Sequence, residues 1–303
     1  MAKIAYTEDI ERLALAFVKR DYSEISNHIK QNKQALSYYL EQDGELYGYE
    51  IRENIPLSNL YGFRVRLVEF SFSGIDVLYN TTEENILKKL FNTLDTVIKN
   101  ERAYYIFRVP TQIMGVLMQF NVFFKEAFFC GGIVTYISTN GIMQDETNAK
   151  TDVFIATDSY ITENKSELLD ISAKTFKMYR GQYHISPITA DKAGMIYDDW
   201  LERSFSSSNE KIFVASYRGR PVGFCTARET RNLVEAVLGG VSNEYREIGA
   251  YKNIIRHVVN YAYDTEKLFV IGTQFENLVV QGTWSKFGLK PFNSFYNFHL
   301  DAR

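Results

Sequence analysis

The sequence predicts an α/β protein built as two related halves, and three observations carry that reading. Strand-like and helix-like segments alternate along most of the chain. An aromatic strand ending in Thr-Gln occurs twice, as "YYIFRVPTQ" ending at Gln112 and "KLFVIGTQ" ending at Gln274, each followed by an apolar helix and an aromatic strand. The spacing from Thr111 to Thr273 is 162 residues (273 − 111), which fits one copy of the unit per half. Finally, 303 residues with 46% hydrophobic and 15% aromatic content can bury one large core or two ordinary ones.

In chain order, residues 1–50 read as a helical N-terminal extension. Two polar-faced helices, Thr7 to Lys19 and Ser23 to Glu41, precede the turn signal "QDGELYG". From Tyr61 to Val77 apolar residues fall on near-alternate positions, as a half-buried strand requires. "TTEENILKKLFNTLDTVIKN" follows with a threonine cap and an acidic first turn, the entry of a helix. "AYYIFRV" (strand), "TQIMGVLMQFN" (helix) and "AFFCGGIVTYIST" (strand) complete a first half over residues 51–145. The polar, turn-rich stretch Asn140 to Asp152 is the expected linker. The second half, 146–303, holds a helical region, the helix "DKAGMIYDDWLERSF", and a hairpin of "KIFVASY" and "PVGFCTARE" around "RGRP". There follow the strand "LVEAVLGGV" ending at Val241, the helix "KNIIRHVVNYAYDT", the strand "KLFVIGTQ", a helix from Asn277 and a last strand "SFYNFHL".

A formal net charge of −3 without a long Lys or Arg run gives no electrostatic footprint for nucleic acid or an acidic membrane surface. Cys130 and Cys225 lie far apart in apolar segments with no histidine at metal spacing; they are expected to be buried thiols, and no metal site is expected. The N-terminus lacks a signal-peptide pattern and no apolar run has membrane-span length, so a cytoplasmic setting is expected.

The stretch that bears on chemistry is "NEYREIGAYKNII", Asn243 to Ile255, directly after Val241. Backbone N–H groups at a tight turn that opens a helix form a positive concavity, and Gly249 lets a pyrophosphate reach the main chain. Arg246 and Lys252 add charge. An ordinary strand-to-helix turn with solvated charges is the alternative. Gly239 and Gly240, near the end of the strand, are a bulge signal.

The order hairpin, long strand, R-x-x-G turn, helix, strand, helix from an asparagine, last strand resembles the GCN5-related N-acyltransferase superfamily over Lys211 to Leu300. The resemblance implies a mixed central sheet flanked by helices in each half and acyl-CoA as cosubstrate. The pyrophosphate would lie on Arg246, Glu247, Ile248, Gly249, Ala250 and Tyr251, and the pantetheine arm along Gly239, Gly240 and Val241. Val241 N–H would polarise the thioester carbonyl. Asn277 would touch the pantetheine arm, or only cap its helix. Glu235 is placed where the family puts a general base, or is a strand-end charge. Two positions depart from the family pattern. Tyr251 stands where a small residue is usual, with its phenol expected to point away from the phosphate. Trp284 stands where a tyrosine usually protonates the departing thiolate, leaving solvent or Ser285 as candidate acid.

"YRGQYHISPITADKAGMIYDDWLERSF" is also similar to a segment of bacterial nucleotide-aminosugar N-acyltransferases of the TDP-fucosamine acetyltransferase type. Arg180, Tyr183, His184, Pro187, Trp200 and Ser204 match, and Ser186 replaces an aspartate. That likeness implies that Arg180, Tyr183 and His184 grip a dTDP-linked amino-dideoxysugar, against the alternative that Tyr183 and His184 pack a loop. It also implies a degenerate N-terminal half that does not bind CoA, agreeing with the absence of an R-x-x-G turn between Phe70 and Lys88. The expected reaction is direct acyl transfer, acetyl or hydroxybutyryl, to the sugar amino group for a bacterial surface polysaccharide (O-antigen or capsule). An aminoacyltransferase of peptidoglycan assembly and a non-catalytic CoA- or partner-binding domain are the alternatives. The oligomeric state, homo-oligomer included, is left open.

Overall fold

Strand β4 (Tyr104–Pro110) buries five of its first six side chains from Tyr104 to Val109, so it must be covered on both faces, and the fold of the first half follows from that. In the computed structural model the described residues are 37–42, 45–72, 84–111, 114–142, 150–177 and 179–303. They fall into two units: the described residues within 1–133, 181–190 and 294–303 make the first, those within 134–180 and 191–293 the second.

The first unit holds β1 (Ser37–Gln42), β2 (Glu45–Glu53), β3 (Val65–Phe72), β4 and the Ser294-onward part of β11 (Lys290–Asp301), in the order β1-β2-β3-β4-β11. β3 and β4 are parallel, and the other pairs antiparallel. Helix α1 (Ile55–Tyr61) joins β2 to β3; Asn54 caps it by accepting from Leu57 N–H, and Gly62 closes it at φ +76°. Because side chains alternate across a strand, Tyr105, Phe107 and Val109 of β4 face one way, with Phe298 and Leu300 of β11. Leu90, Phe91, Leu94 and Ile98 of α2 (Glu84–Asn100) and Val116 and Phe120 of α3 (Met114–Phe123) close over them.

The opposite face carries a buried polar chain. Tyr104 Oη lies 2.6 Å from Ser186 Oγ and 2.8 Å from His299 Nδ1, and His299 Nε2 lies 3.3 Å from Gln182 Oε1. A glutamine oxygen only accepts, so Nε2 carries the proton and Nδ1 accepts from Tyr104, whose oxygen in turn accepts from Ser186. Gln182 and Ser186 bracket the short helix α5 (Gln182–Ile185). His299 is fully enclosed, and burial lowers its pKa from 6.5 to about 3.

The second unit holds β5 (Phe128–Ser138) from Val134 onward, β6 (Asp152–Ile155), β7 (Glu210–Tyr217), β8 (Arg220–Glu229), β9 (Leu233–Val241) and β10 (Leu268–Gln274), in the order β5-β10-β9-β8-β7-β6. Its helices are α4 (Asp158–Lys177), α6 (Ala193–Phe205), α7 (Ala250–Asp264) and α8 (Leu278–Lys286). α7 presents Ile254, Ile255, Val258, Val259 and Ala262 to the sheet, a stripe at helical spacing. Each unit is thus a mixed sheet flanked by helices, as expected.

Several expectations change. Residues Ser37 to Glu41 are strand β1, not the end of a helix, because β2 supplies a backbone partner along their full length. The rest of that helix and the one at Thr7 to Lys19 lie outside the described residues, as do 143–149 of the linker, Gln112 and the 73–83 stretch of the R-x-x-G comparison. Tyr61 ends a helix, and the strand expected from Tyr61 begins at Val65. The first unit ends at Ile133 rather than at 145, and it takes back 181–190 and 294–303. The repeated order is present: β4-α3-β5 is matched by β10-α8-β11.

His299 fixes a pH dependence. Its folded pKa lies below its unfolded value, so between about 6.5 and 3 the unfolded chain binds a proton that the folded chain refuses. Stability must therefore fall as pH drops through that window. Urea unfolding followed between pH 7 and 4.5 should show the loss in the wild type, and His299→Gln should flatten the curve by up to one proton's slope.

Candidate active site

The second unit contains a parallel strand pair that stops pairing halfway. β9 and β10 are in register only from Leu233↔Leu268 to Ala236↔Ile271, although β9 runs to Val241 and β10 to Gln274. The cause is visible on the other edge of β9. Across β8, Thr226 pairs with Leu238 while Ala227 pairs with Ala236. Val237 is therefore one residue too many, a bulge that turns the strand away from β10. This corrects the expected position: the bulge sits at Val237, not at Gly239-Gly240. The glycines answer a different need. A Cβ on Gly240 would stand 3.2 Å from Thr175 Cγ2 of α4, whereas one on Gly239 meets nothing closer than 3.5 Å.

Beyond the bulge the free edge of β9 faces the gap. Ser242 N–H donates to Val222 C=O at 2.9 Å, which in an antiparallel ladder makes Gly223↔Val241 a non-hydrogen-bonded pair. The N–H and C=O of Val241, and by alternation those of Gly239, point away from β8 toward the side where β10 has left. The carbonyl of Val241 takes Thr175 Oγ1 at 3.4 Å.

At the end of β9 the chain makes a 3-10 turn at Asn243–Tyr245, passes Arg246 and reaches Gly249 at φ +79°, from which α7 starts. Asn253 N–H donates to Gly249 C=O at 3.0 Å, the first bond of the helix. The N–H groups of Ala250, Tyr251 and Lys252 precede it and have no intrahelical acceptor. Arg246, Glu247 and Lys252 are exposed, Ala250 is buried and Ile248 packs against the core. The arrangement is an amide-lined helix mouth with two cations beside it, suited to an anion.

The Tyr251 side chain does point inward. Trp284, in the unit's core, donates its indole N–H to Tyr251 Oη at 3.0 Å, and Tyr136 packs edge-on against the indole, 5.4 Å between centroids. The two departures from the family pattern are in contact. At the end of β10, Asn277 Nδ2 donates to Thr273 Oγ1 at 3.0 Å and makes no side-chain cap. Gln281 Nε2 donates to Gln274 C=O at 3.1 Å and Phe275 C=O at 2.8 Å. The Tyr179 phenol lies beside the Gln274 and Thr273 side chains, and burial raises its pKa. Sequence reasoning passed over Tyr179; its one signal was its position next to Arg180.

The other predicted residues are placed elsewhere. Glu235 lies in the closed part of the β9–β10 ladder, its Oε2 3.3 Å from Arg228 Nη1, and Arg228 Nη2 lies 3.2 Å from Glu210. Ser204, the end of the Trp200 motif, donates to Glu210 at 2.5 Å. Glu235 is thus one end of a structural chain of charges. Ser285 is exposed, next along α8 to the buried Trp284. Arg180 belongs to the second unit, Tyr183 and His184 to the first. The Tyr183 ring lies 6.2 Å from that of His299. Cys130 and Cys225 are buried and free, with thiols pushed up to about 12 by burial. Among the described residues no three His, Cys, Asp or Glu side chains group as metal ligands, and no helix is long and apolar enough to cross a membrane.

Gly249 is the backbone hinge on which the amides depend. Gly249→Ala should destabilise the protein by about 1–2 kcal/mol, because a Cβ at that φ is strained. Gly239→Ala, which meets only ordinary contacts, should cost distinctly less in urea midpoints compared side by side.

No family model and no curated protein matches the sequence. Solved structures do. A GCN5-related N-acetyltransferase from Sphaerobacter thermophilus superposes with TM-score 0.57 at 11% identity, over 86% of this chain and 78% of that one. An acetyltransferase of the same family from Colwellia psychrerythraea gives 0.51 at 10% identity, over 87% and 85%. A tandem protein of that family from the clavulanic acid biosynthesis pathway gives 0.50 at 9% identity, over 92% and 88%. At such identities the likeness is one of fold, and the protein has the fold of the GCN5-related N-acetyltransferases in a two-half arrangement.

Proposed function

We propose that the protein is an N-acyltransferase that takes an acyl group from acyl-CoA and places it on the amino group of a dTDP-linked amino-dideoxysugar. The observation that carries the first part is the parted β9–β10 pair. Its free strand edge presents Gly239 and Val241 N–H groups to the gap and runs directly into the amide-lined start of α7. An extended arm of alternating amides ending in a pyrophosphate fits those two features in that order, the arm added to the β9 edge as a strand would be and the diphosphate at the helix mouth. CoA supplies the acyl group as a thioester, activated toward amines.

The chain's own residues then have distinct tasks. Arg246 and the amides from Ile248 to Tyr251 hold the diphosphate. Gly239 leaves the strand edge uncovered. Val241 N–H, directed into the gap, stands ready for the carbonyl oxygen on which charge builds during attack. Asn277, held by Thr273, flanks the opposite side. The catalytic unit is the second, and the first does not bind CoA. The sugar assignment is supported by the likeness of the Arg180, Tyr183, His184 segment to nucleotide-aminosugar enzymes, with acetyl or hydroxybutyryl as the group moved and surface-polysaccharide synthesis as the use.

Isothermal titration with acetyl-CoA tests the core of this reading; absence of binding to wild-type protein sinks it. Arg246→Ala should weaken CoA by about 5- to 20-fold through loss of a charge-assisted contact, without lowering thermal stability. Thiol release measured over a panel of dTDP-aminosugars tests the acceptor. Binding of CoA without release on any of them would favour a ligand-binding role instead.

A further inference from the structure

We propose that Tyr104 is a positioning residue for the acceptor: through Ser186 and His299 it fixes the strap Gly181–Ala190, which carries Tyr183 and His184. The role rests on the nucleotide-sugar reading above. In chain order the strap joins α4 to α6, two helices of the second unit, yet it belongs to the first. Its conformation is therefore decided by what the first unit's sheet offers it.

The strap is built with polar side chains inward. Gln182, Ser186 and Thr189 are 6%, 0% and 1% exposed, while Ile185 is 43% exposed. A segment held for stability alone would bury the isoleucine and leave the serine in water. Apolar burial is non-directional, whereas a satisfied buried hydrogen-bond network specifies one arrangement. Here the network is a circuit. Ser186 O–H donates to Tyr104 Oη at 2.6 Å, Tyr104 O–H to His299 Nδ1 at 2.8 Å, and His299 Nε2–H to Gln182 Oε1 at 3.3 Å. It leaves the strap at Ser186 and returns at Gln182, about one helical turn earlier. Two anchors one turn apart fix rotation as well as position. Burial keeps His299 neutral at neutral pH, so the order of donors holds there.

A second pair of bonds holds the far end. Tyr61 O–H donates to Thr189 C=O at 2.9 Å, and Thr189 Oγ1–H donates to Tyr183 C=O at 2.8 Å. Tyr183 and His184 lie between the anchors Gln182 and Ser186 and are half-buried, and the Tyr183 ring is 6.2 Å from that of His299. The anchors thus decide where the phenol and the imidazole stand. Tyr104 is the member that joins them: without its hydroxyl, Ser186 loses its hold on the sheet and His299 loses the donor that orients its ring. Side chains set in advance bind a nucleotide sugar without first being ordered, and affinity is higher by the ordering cost avoided.

The test titrates dTDP and acetyl-CoA separately into wild type, Tyr104→Phe, Ser186→Ala and Leu94→Ala, with a thermal melt of each. Leu94 is fully buried on the opposite face of the same sheet and serves as the control for lost stability alone. Tyr104→Phe should weaken dTDP about tenfold, the cost of ordering two side chains at binding, and leave acetyl-CoA affinity unchanged. Ser186→Ala should weaken dTDP in the same way, and it carries the test if Tyr104→Phe does not fold. Leu94→Ala should melt lower and bind dTDP as wild type does. Undiminished dTDP affinity in the folded Tyr104→Phe or Ser186→Ala variant overturns the proposal. So does a matching loss in Leu94→Ala, which would make the network a stabilising one only, or a matching loss of acetyl-CoA affinity. Wild type that binds acetyl-CoA but not dTDP overturns the nucleotide-sugar reading instead.

Discussion

One surplus residue governs the second unit. A β-strand can stay in register with both neighbours only if its residue count matches theirs, and Val237 breaks the match on the β8 side. Since β8 and β9 re-form their ladder immediately beyond the bulge, the displacement falls on β10, which has no pairing with β9 after Ala236. The gap, the uncovered N–H groups of Gly239 and Val241, and the position at which α7 begins are consequences of that choice. Had β10 re-paired, no free strand edge would remain to receive an extended ligand, and every backbone group there would be satisfied internally.

The closed end of the same strand is reinforced where the open end is relieved. Glu235, Arg228 and Glu210 run across three adjacent strands, and Ser204 ties the row to α6. A partly buried row of alternating charges resists fraying because each member would be left without its partner if the strands separated. The contrast between a fastened base and a parted tip keeps the gap at a fixed place in the sheet.

Much of this was legible in the sequence, and the limits have physical causes. The β7–β8 hairpin, β9 and β10 are buried on both faces, so they appear as apolar runs bounded by turns, and Arg218 and Gly219 do take the positive φ that a tight hairpin needs. "SYYLEQ" has no such run; only the partner strand β2 decides that it is extended. The bulge had no residue signature at all, since valine is an ordinary strand residue. The neighbouring glycines drew the reading two positions too far, because glycine marks close approach as readily as irregular backbone. Glu235 looked available because its pairing with Arg228 depends on strand register, which one-dimensional spacing does not fix. Tyr251 and Trp284 each broke the family pattern separately; that they break it together is a contact across 33 positions of chain.

The membership of the first unit has a kinetic consequence. Its strand β4 has one neighbour, β3, that is close in sequence, and another, β11, that is made far later; Tyr104 and His299 meet across 195 positions. Until that strand arrives, one edge of β4 and the apolar face later closed by Phe298 and Leu300 have no cover. The N-terminal half therefore cannot mature on its own as the chain emerges, and it must wait in a form with a sticky edge while the rest is made. The protein is duplicated in architecture but indivisible in folding, and cutting it at the apparent linker would separate a sheet from its own last strand.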